Sequence, residues 1–210
     1  MKRFLILTVI ILTFLLNGCN GNSTKLVSSW NQPGTDSVHL KKILVVAVVR
    51  KKEHRRMYED AFAKQLQTEG VNATASYTLV PKLSGDKDKD KPLIVAAIKK
   101  IHADGVIVAT LASVDKDERY IEMAPVQVTT YSAPYGMYGY YNYRQGIIQE
   151  PGYTIKETTI KLQTTLFQVS NEGLLWTGET DSFNPESAQE VVVENVKLIN
   201  SALLKSGLLQ

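Results

Sequence analysis

In the first half of the chain, hydrophobic and polar positions follow strand and helix patterns in turn. A short first strand is predicted at residues 26–30. Residues 43–49 form an unbroken run of mostly β-branched side chains, which is typical of a strand covered on both faces of a sheet. Apolar residues then recur at helical spacing through residues 53–69, and Gly70 stands where a helix commonly ends.

The pattern continues with residues 72–80 as a further predicted strand and residues 82–91 as a charged loop. Pro92 is expected in the first turn of the next helix. The apolar positions of that helix are Ile94, Ala97, Ile98 and Ile101. Asp104-Gly105 predicts a turn into a strand that begins at residue 106, and such alternation favours an α/β sheet.

The second half of the chain contains two unusually long strand patterns, at residues 106–121 and 153–169. At about 3.3 Å per residue the first would reach roughly 50 Å, so we expect the two to pair antiparallel as a ribbon that extends past the sheet. Residues 170–173 predict a turn and residues 174–183 a hairpin partner. A last helix follows a capping box that runs from Ser187 to Glu190, and Gly207 ends it.

These elements predict a single α/β (α+β) domain over residues 26–210. Its mixed β-sheet is flanked by about three helices and carries the long antiparallel β-ribbon. A Tyr-rich connection, residues 122–152, lies between the two ribbon strands. Structureless connections beyond about 15 residues are uncommon in compact domains and are usually functional or disordered.

The N-terminus has the pattern of a secretory signal peptide. Met1-Lys2-Arg3 is basic, and residues 4–16 are almost entirely apolar but fall short of the roughly 20 residues that span a bilayer. The run ends in Leu16-Asn17-Gly18-Cys19, which resembles the lipobox of bacterial lipoproteins. This resemblance implies recognition at Leu16 and Gly18, removal of residues 1–18, and covalent lipid on Cys19. An ordinary signal peptide with a chance cysteine, or a buried helix, is the alternative.

A wider resemblance rests on the lipobox, the strand at residues 43–49, the helix through residues 58–62 and the segment at residues 174–178. These features look like a group of uncharacterised bacterial envelope lipoproteins. More distantly, the element order resembles the α/β domain of the TolB N-terminal region, which curli-secretion and peptidoglycan-synthase-activator lipoproteins share. The resemblance implies a non-catalytic binding or assembly factor. With Asn20 after the cysteine, it also implies the inner leaflet of the outer membrane, facing the periplasm.

Composition narrows the chemistry. The chain has 24 basic and 21 acidic residues, and its formal charge of +3 falls to +1 without Lys2 and Arg3, so nucleic acid is not an expected partner. Cys19 is the only cysteine, and its use for lipid would leave no thiol for a disulfide, a metal site or a nucleophile. Residues 19–25 are then expected to be the lipidated cysteine and a short tether. No cofactor is expected beyond the covalent lipid.

The Tyr-rich connection is the first candidate binding site. Six of the ten tyrosines of the chain fall within thirteen residues. They are Tyr131, Tyr135, Tyr138, Tyr140, Tyr141 and Tyr143. Tyrosine combines a large apolar face with a hydrogen-bonding tip, so we expect contact with an envelope protein, a glycan strand or the membrane interface. The alternative is a low-complexity insertion, or a hairpin tip folded onto its own sheet.

The second candidate is a group of cations between a predicted strand and the helix that follows. They are Arg50, Lys51, Lys52, Arg55 and Arg56. Helix N-termini favour anions, so phosphate or lipid head groups could be bound here. A solvated rim is the alternative, because cations at this end oppose the helix dipole.

The remaining candidates are weaker, and none defines a catalytic site. The run Asp86-Lys87-Asp88-Lys89-Asp90 mimics part of an EF-hand loop but lacks its glycine and final glutamate. His39, His54 and His102 have no metal-ligand spacing. Four carboxylates at Asp115, Asp117, Glu118 and Glu122 leave open a glycan hydrolase that uses Glu118 or Glu122. A third hypothesis is a structural lipoprotein that oligomerises through sheet edges. The sequence does not specify an oligomeric state.

Overall fold

Residues 23–35, 37–121 and 153–209 are described by a computed structural model of the chain. They form a mixed α/β domain with six strands and three α-helices. The strands are β1 (Thr24–Asn31), β2 (Lys42–Val48), β3 (Asn72–Ala75), β4 (Gly105–Ile121), β5 (Tyr153–Gln168) and β6 (Leu174–Phe183). The helices are α1 (Lys52–Thr68), α2 (Lys87–Ile101) and α3 (Ala188–Lys205).

The strands lie in one sheet in the order β1-β6-β5-β4-β2-β3. β2 is parallel to both of its neighbours, β3 and β4, whereas β4, β5, β6 and β1 pair antiparallel. Parallel neighbours need crossover connections, and α1 and α2 supply them. The predicted α/β domain with a mixed sheet and three helices is therefore confirmed.

Two hydrophobic cores cover the parallel part of the sheet on its two faces. On one face Ile43 and Val45 of β2 pack in a core with Phe62 of α1 and Ile199 of α3. The alternate residues of β2, including Leu44 and Val46, belong to a smaller core with Ala97 of α2. The prediction that this strand is covered on both faces is confirmed for residues 43–47, whereas Val48 is 50% exposed and Val49 lies beyond the strand.

β4 and β5 form the predicted ribbon. They pair from Gly105 opposite Gln168 to Ile121 opposite Tyr153, with an irregularity between Leu111 and Ser113. β2 accompanies β4 only as far as Thr110, and β6 accompanies β5 only as far as Thr159. The remainder of β4 and β5 therefore extends beyond the sheet as two strands.

The predicted strand at residues 72–80 is too long. β3 ends at Ala75, and a 3-10 turn follows at Ser76–Thr78. The Glu59 carboxylate of α1 accepts hydrogen bonds from the Ser76 hydroxyl at 2.8 Å and from the Tyr77 backbone N–H at 2.7 Å. A buried carboxylate thus turns the chain out of the sheet, which strand propensity alone cannot indicate.

The predicted loop at residues 82–91 is also wrong in part, because α2 begins at Lys87. Asp86 is its N-cap, and its side chain accepts from the Asp88 backbone N–H at 3.0 Å. Pro92 consequently lies inside the helix and not in its first turn. The Asp-Lys alternation at residues 86–90, which mimics a calcium loop, therefore forms the N-cap and the first turn of a helix.

The ends of the domain differ slightly from expectation at the N-terminus and agree at the C-terminus. β1 begins at Thr24, so two residues assigned to the tether belong to the sheet. Glu194 of α3 accepts from the Thr24 backbone N–H at 2.8 Å and from the Ser23 hydroxyl at 3.0 Å. The predicted Ser187 cap is confirmed, because the Ser187 hydroxyl accepts from the Glu190 backbone N–H at 3.1 Å. The Glu190 carboxylate accepts from the Glu186 backbone N–H at 2.7 Å, one residue before the position that a capping box requires.

Candidate functional site

A cleft of about 780 Å³ opens at the carboxyl end of β2, between the β2–α1 junction on one side and the segment that follows β3, with α2, on the other. The chain leaves β2 toward α1 on one face of the sheet and leaves β3 toward α2 on the other. Adjacent parallel strands whose exits diverge in this way leave a crevice, which is where open α/β sheets commonly bind ligands. We refer to this cavity as the β2–β3 cleft.

Aliphatic side chains form much of the wall of the β2–β3 cleft. They come from three sources: the sheet, the segment that follows β3, and α2. They are Val46, Val48, Val108, Pro81, Leu83, Ile94 and Val95. Ligand pockets are usually apolar clefts of a few hundred to a thousand cubic ångströms with a small number of polar groups.

Four cations line the same cleft: Arg50, Lys52, Lys82 and Lys91. Within the described part of the chain, none of these four is in an ion pair. Arg50 and Lys52 come from the β2–α1 junction, and the two lysines come from the β3–α2 connection and α2. Asp90 is the one carboxylate among the described residues that line the cleft, so the cations outnumber it and the wall has an excess of positive charge.

A fifth cation of the wall, Arg55, is held from behind by a buried carboxylate. Arg55 is 5% exposed and Glu59 is fully buried. The Arg55 Nε donates to Glu59 Oε1 at 2.8 Å, and Arg55 Nη2 donates to the Ser76 hydroxyl at 2.8 Å. Glu59 also accepts from the Ala47 backbone N–H at 2.9 Å. This cluster fixes the end of β2, the first turns of α1 and the 3-10 turn behind the cleft.

Asp90 is the carboxylate of the cleft, and its oxygens are occupied. It accepts from the backbone N–H and the hydroxyl of Ser84, both at 2.8 Å, and from the Gly85 backbone N–H at 2.8 Å. Hydrogen bonding from the Ser84 backbone, above all, holds the pKa of Asp90 below its ordinary value. Asp90 is therefore ionised near neutral pH and ties the β3–α2 connection to α2.

The structure brings together three of the five cations singled out from the sequence. Arg50, Lys52 and Arg55 line the cleft. Arg56 instead lies over the Tyr77 ring, with its guanidinium carbon 5.4 Å from the ring centroid. Lys51 is the exposed N-cap residue of α1 and makes no side-chain capping bond. Anion binding by this group stays a prediction.

Sequence reasoning missed Lys82, Lys91, Asp90 and Glu59. The two lysines lie in a stretch that was assigned to a solvated loop. Their relevance could have been found by noting that the carboxyl ends of parallel strands meet at one edge of a sheet. The sequence gives no indication that Glu59 is buried and structurally important, except that it follows Arg55 by four residues on the same helix.

The candidate carboxylates lie on the β4–β5 ribbon. The Lys161 ammonium is 3.1 Å from Asp115, and the Lys156 ammonium is 3.0 Å from Glu118. The hydrogen bond from Lys161, as the largest cause, holds the pKa of Asp115 below its ordinary value. Glu122 lies outside the described residues, so the hydrolase hypothesis stays a prediction. In the described ranges no cluster of His, Cys, Asp and Glu could hold a metal ion.

The anchor and the tyrosine cluster also lie outside the described residues. These are Leu16, Gly18, Cys19, Tyr131, Tyr135, Tyr138, Tyr140, Tyr141 and Tyr143. Their roles stay predictions. Of the helices that the structure describes, none is long and apolar enough to cross a membrane.

No family model and no curated protein matches the sequence. Among solved structures, the chain is similar to a PelC dodecamer from Paraburkholderia phytofirmans, at 12% identity and a TM-score of 0.43, over 89% of this chain and 99% of that one. It is also similar to lipoprotein GNA1162 from Neisseria meningitidis, at 13% identity and a TM-score of 0.42, over 79% of this chain and 99% of that one. Identities and scores this low carry no inference about function.

Proposed function

We propose that this chain is a lipid-anchored binding protein of the cell envelope, and that the β2–β3 cleft holds an anionic amphiphile. By this we mean an acyl chain that ends in one negatively charged head group. The observation that carries the proposal is the convergence of four cations on a cleft with an aliphatic wall, where none of the four is in an ion pair with another described residue. Binding, and not catalysis, is the proposed activity.

The anchor part of the proposal rests on the N-terminal sequence. A basic start, a short apolar run and Leu16-Asn17-Gly18-Cys19 support lipid attachment at Cys19. β1 begins at Thr24, and five residues reach at most about 18 Å when fully extended. A lipidated Cys19 would therefore keep the domain within reach of the bilayer surface, where amphiphiles are concentrated.

The ligand class follows from what the cleft offers. Burial of an acyl chain against Val46, Val108 and Ile94 is favourable at roughly 25 cal/mol per Å² of apolar surface. A head group without charge would leave the surrounding cations without a counter-charge, whereas a carboxylate or phosphate would pair with them. The positive rim and the aliphatic wall thus favour one molecule that has both features.

Binding is favoured over catalysis by the state of Asp90. A general base needs a free oxygen and a pKa near the working pH. Asp90 is a weak base, because three hydrogen bonds from Ser84 and Gly85 stabilise its carboxylate and its pKa is lowered. Its proposed role is to hold the wall of the cleft in place.

A fluorescence titration of the full-length protein in mild detergent tests the ligand. The probes are oleic acid, lysophosphatidic acid and oleyl alcohol, which share a chain and differ in head group. We expect the two anionic probes to bind and the alcohol to bind at least about tenfold more weakly, as expected for loss of charge-assisted hydrogen bonds. Equal affinity for all three probes, or for acetate and inorganic phosphate without a chain, would contradict the proposal.

Substitution locates the site. Lys82→Gln with Lys91→Gln should weaken the anionic probes by at least about tenfold and leave oleyl alcohol unaffected. The matched control is Lys64→Gln with Lys197→Gln, which removes two exposed lysines of α1 and α3 that do not line the cleft. An equal effect of both double variants would show that the attraction is not local to the cleft.

The anchor is tested separately. Cys19→Ala should abolish incorporation of labelled palmitate and move the protein out of the membrane fraction, with affinity for oleic acid unchanged. Retention of label or of membrane association in this variant would contradict the lipid anchor and would leave the proposal about the cleft unaffected.

A further inference from the structure

The outer half of β4 has one edge that no described strand covers. β2 pairs with β4 only as far as Val48 opposite Thr110, and an irregularity follows between Leu111 and Ser113. From Ser113 to Ile121, β4 has β5 on one side and no described strand on the other. An unpaired strand edge presents a row of backbone N–H and C=O groups, which is a template for another strand.

The nine residues of this edge are complementary to themselves when read antiparallel. In a register centred on Asp117, Asp115 lies opposite Arg119 of a second copy. In the same register Lys116 lies opposite Glu118, and Val114 lies opposite Tyr120. Directly opposed residues of antiparallel strands share a face with Cβ atoms about 5 Å apart. Asp115, Glu118 and Arg119 already form exposed ion pairs with β5, so the contacts with the second copy would extend these pairs across the new strand boundary.

Neighbouring registers lack this complementarity. A two-fold antiparallel pair is centred on one residue, so the neighbouring registers are those centred on Lys116 and on Glu118. The first sets Lys116 opposite its own copy and Asp115 opposite Asp117. The second sets Glu118 opposite its own copy and Lys116 opposite Tyr120. Asp117 is also the midpoint of the segment from Ser113 to Ile121, so the complementary register pairs the whole edge. Ile121 of the second copy would lie opposite Ser113, beyond the last β2 pair at Thr110, without overlapping β2.

We propose that two copies of this chain form a symmetric dimer by antiparallel pairing of β4 with β4 over residues 113–121. The pairing joins the two ribbons into a four-stranded sheet with β5 on each outer side. It also gives partners to two large apolar side chains of the edge, because Val114 is 46% exposed and Tyr120 is 58% exposed. This inference is independent of the cleft and of the lipid anchor.

Asp117 limits the strength of the dimer. It lies opposite its own copy at the two-fold axis, and like charges directly opposed are destabilising. Arg119 and Asp115 of each chain both lie diagonal to Asp117 of the other, so their opposite charges largely cancel and leave this repulsion in place. Asp117→Asn should therefore tighten the dimer by several-fold in analytical ultracentrifugation.

A charge-exchange experiment tests the register. In a homodimer of the Lys116→Glu variant, the new glutamate of each chain lies opposite Glu118 of the other. In a homodimer of the Glu118→Lys variant, the new lysine of each chain lies opposite Lys116 of the other. Each variant alone should dimerise at least roughly tenfold more weakly than the wild type. An equimolar mixture should recover wild-type dimerisation as a heterodimer, which also shows that both variants fold. Two monomeric variants that stay monomeric on mixing would overturn the proposal.

Cross-linking supplies a geometric check. In the full-length Cys19→Ser background, which removes the only native cysteine, Asp117→Cys should form a disulfide dimer under mild oxidation. Asp115→Cys and Arg119→Cys should each fail alone and cross-link when mixed. Glu172→Cys, in the exposed turn between β5 and β6, measures random collision. Cross-linking at Asp117 no faster than at Glu172 would overturn the dimer.

Discussion

At the scale of single residues, the described domain is organised by polar groups buried between its elements. The Tyr58 hydroxyl donates to Asn195 at 2.8 Å, and Asn195 donates to the Thr180 hydroxyl at 2.6 Å. Burial raises the pKa of Tyr58, so its hydroxyl keeps its proton and stays a donor. This chain of bonds joins α1 to α3 and β6, just as Glu59 joins α1 to β2 and the 3-10 turn. Apolar packing provides the core, and these contacts specify which elements meet.

Glu59→Gln should lower the free energy of unfolding by about 3–5 kcal/mol, the usual cost of breaking a buried ion pair on one side only. The substitution leaves the Arg55 guanidinium, which is 5% exposed, without a counter-charge. Denaturant unfolding measures the change. Glu53→Gln, an exposed substitution on the same helix, is the control and should stay within about 0.5 kcal/mol of the wild type. Equal stability of the two variants would show that the pair is not structurally important.

At the scale of elements, the contact between α3 and the start of β1 depends on pH. Partial burial alone would raise the pKa of Glu194, but hydrogen bonds from Thr24 and Ser23 outweigh it and hold the pKa below its ordinary value of 4.5. A carboxyl with a lowered folded-state pKa stabilises the fold fully above its unfolded value. That stabilisation is lost as the pH falls through the folded-state value.

We therefore expect the first residues of β1 to lose protection of their backbone amides as the pH falls below about 4.5, before the rest of the sheet. Hydrogen exchange at Thr24, compared with Leu166 in the centre of the sheet, measures this. In Glu194→Gln the Thr24 amide should be weakly protected at every pH, with no step. A step of the same size in that variant would assign the effect to another group.

Sequence reasoning succeeded for elements whose signals are local. The helical spacing through Phe62 and Leu66, the cap at Ser187 and the alternation around Leu162 each depend on residues close in sequence. It failed where a distant residue decides. Ser76 leaves the strand because Glu59, seventeen positions earlier, accepts its hydroxyl. The start of α2 was missed because Asp86 was interpreted as part of a charged loop and not as a cap.

At the scale of the whole molecule, the candidate site could be predicted only in part. Arg50 and Lys52 are adjacent to a clear strand signal, so their place at a strand end was evident. Lys82 and Lys91 join them only because β3 and β2 are parallel neighbours, which is a property of the sheet order. β4 is parallel to β2, so the ribbon and the cleft both lie at the end of the sheet where the carboxyl ends of these two strands meet. Both proposed activities, ligand binding in the cleft and dimerisation along β4, therefore belong to the same end of the sheet.

The electrostatic attraction of an anion to this protein is local to the cleft. The formal charge of the chain is +3, and it falls to +1 without Lys2 and Arg3, so the whole molecule exerts little long-range attraction on an anion. Attraction in the cleft must come mainly from Arg50, Lys52, Lys82 and Lys91, because the fifth cation of the wall, Arg55, is paired with Glu59. These act over a few ångströms but face solvent, so salt should screen them. The Debye length falls from about 10 Å at 0.1 M to about 3 Å at 1 M ionic strength.

Raising sodium chloride from about 0.1 M to about 1 M should therefore weaken the binding of lysophosphatidic acid several-fold. Oleyl alcohol, which has no charge to screen, should bind equally well or slightly better, because apolar burial is not weakened by this salt. Fluorescence titration of both probes in the same buffer series measures the difference. Lys82→Gln with Lys91→Gln should reduce the salt dependence for the phosphate probe, whereas Lys64→Gln with Lys197→Gln should leave it unchanged. A parallel response of both probes to salt would mean that the cations of the cleft do not contact the head group.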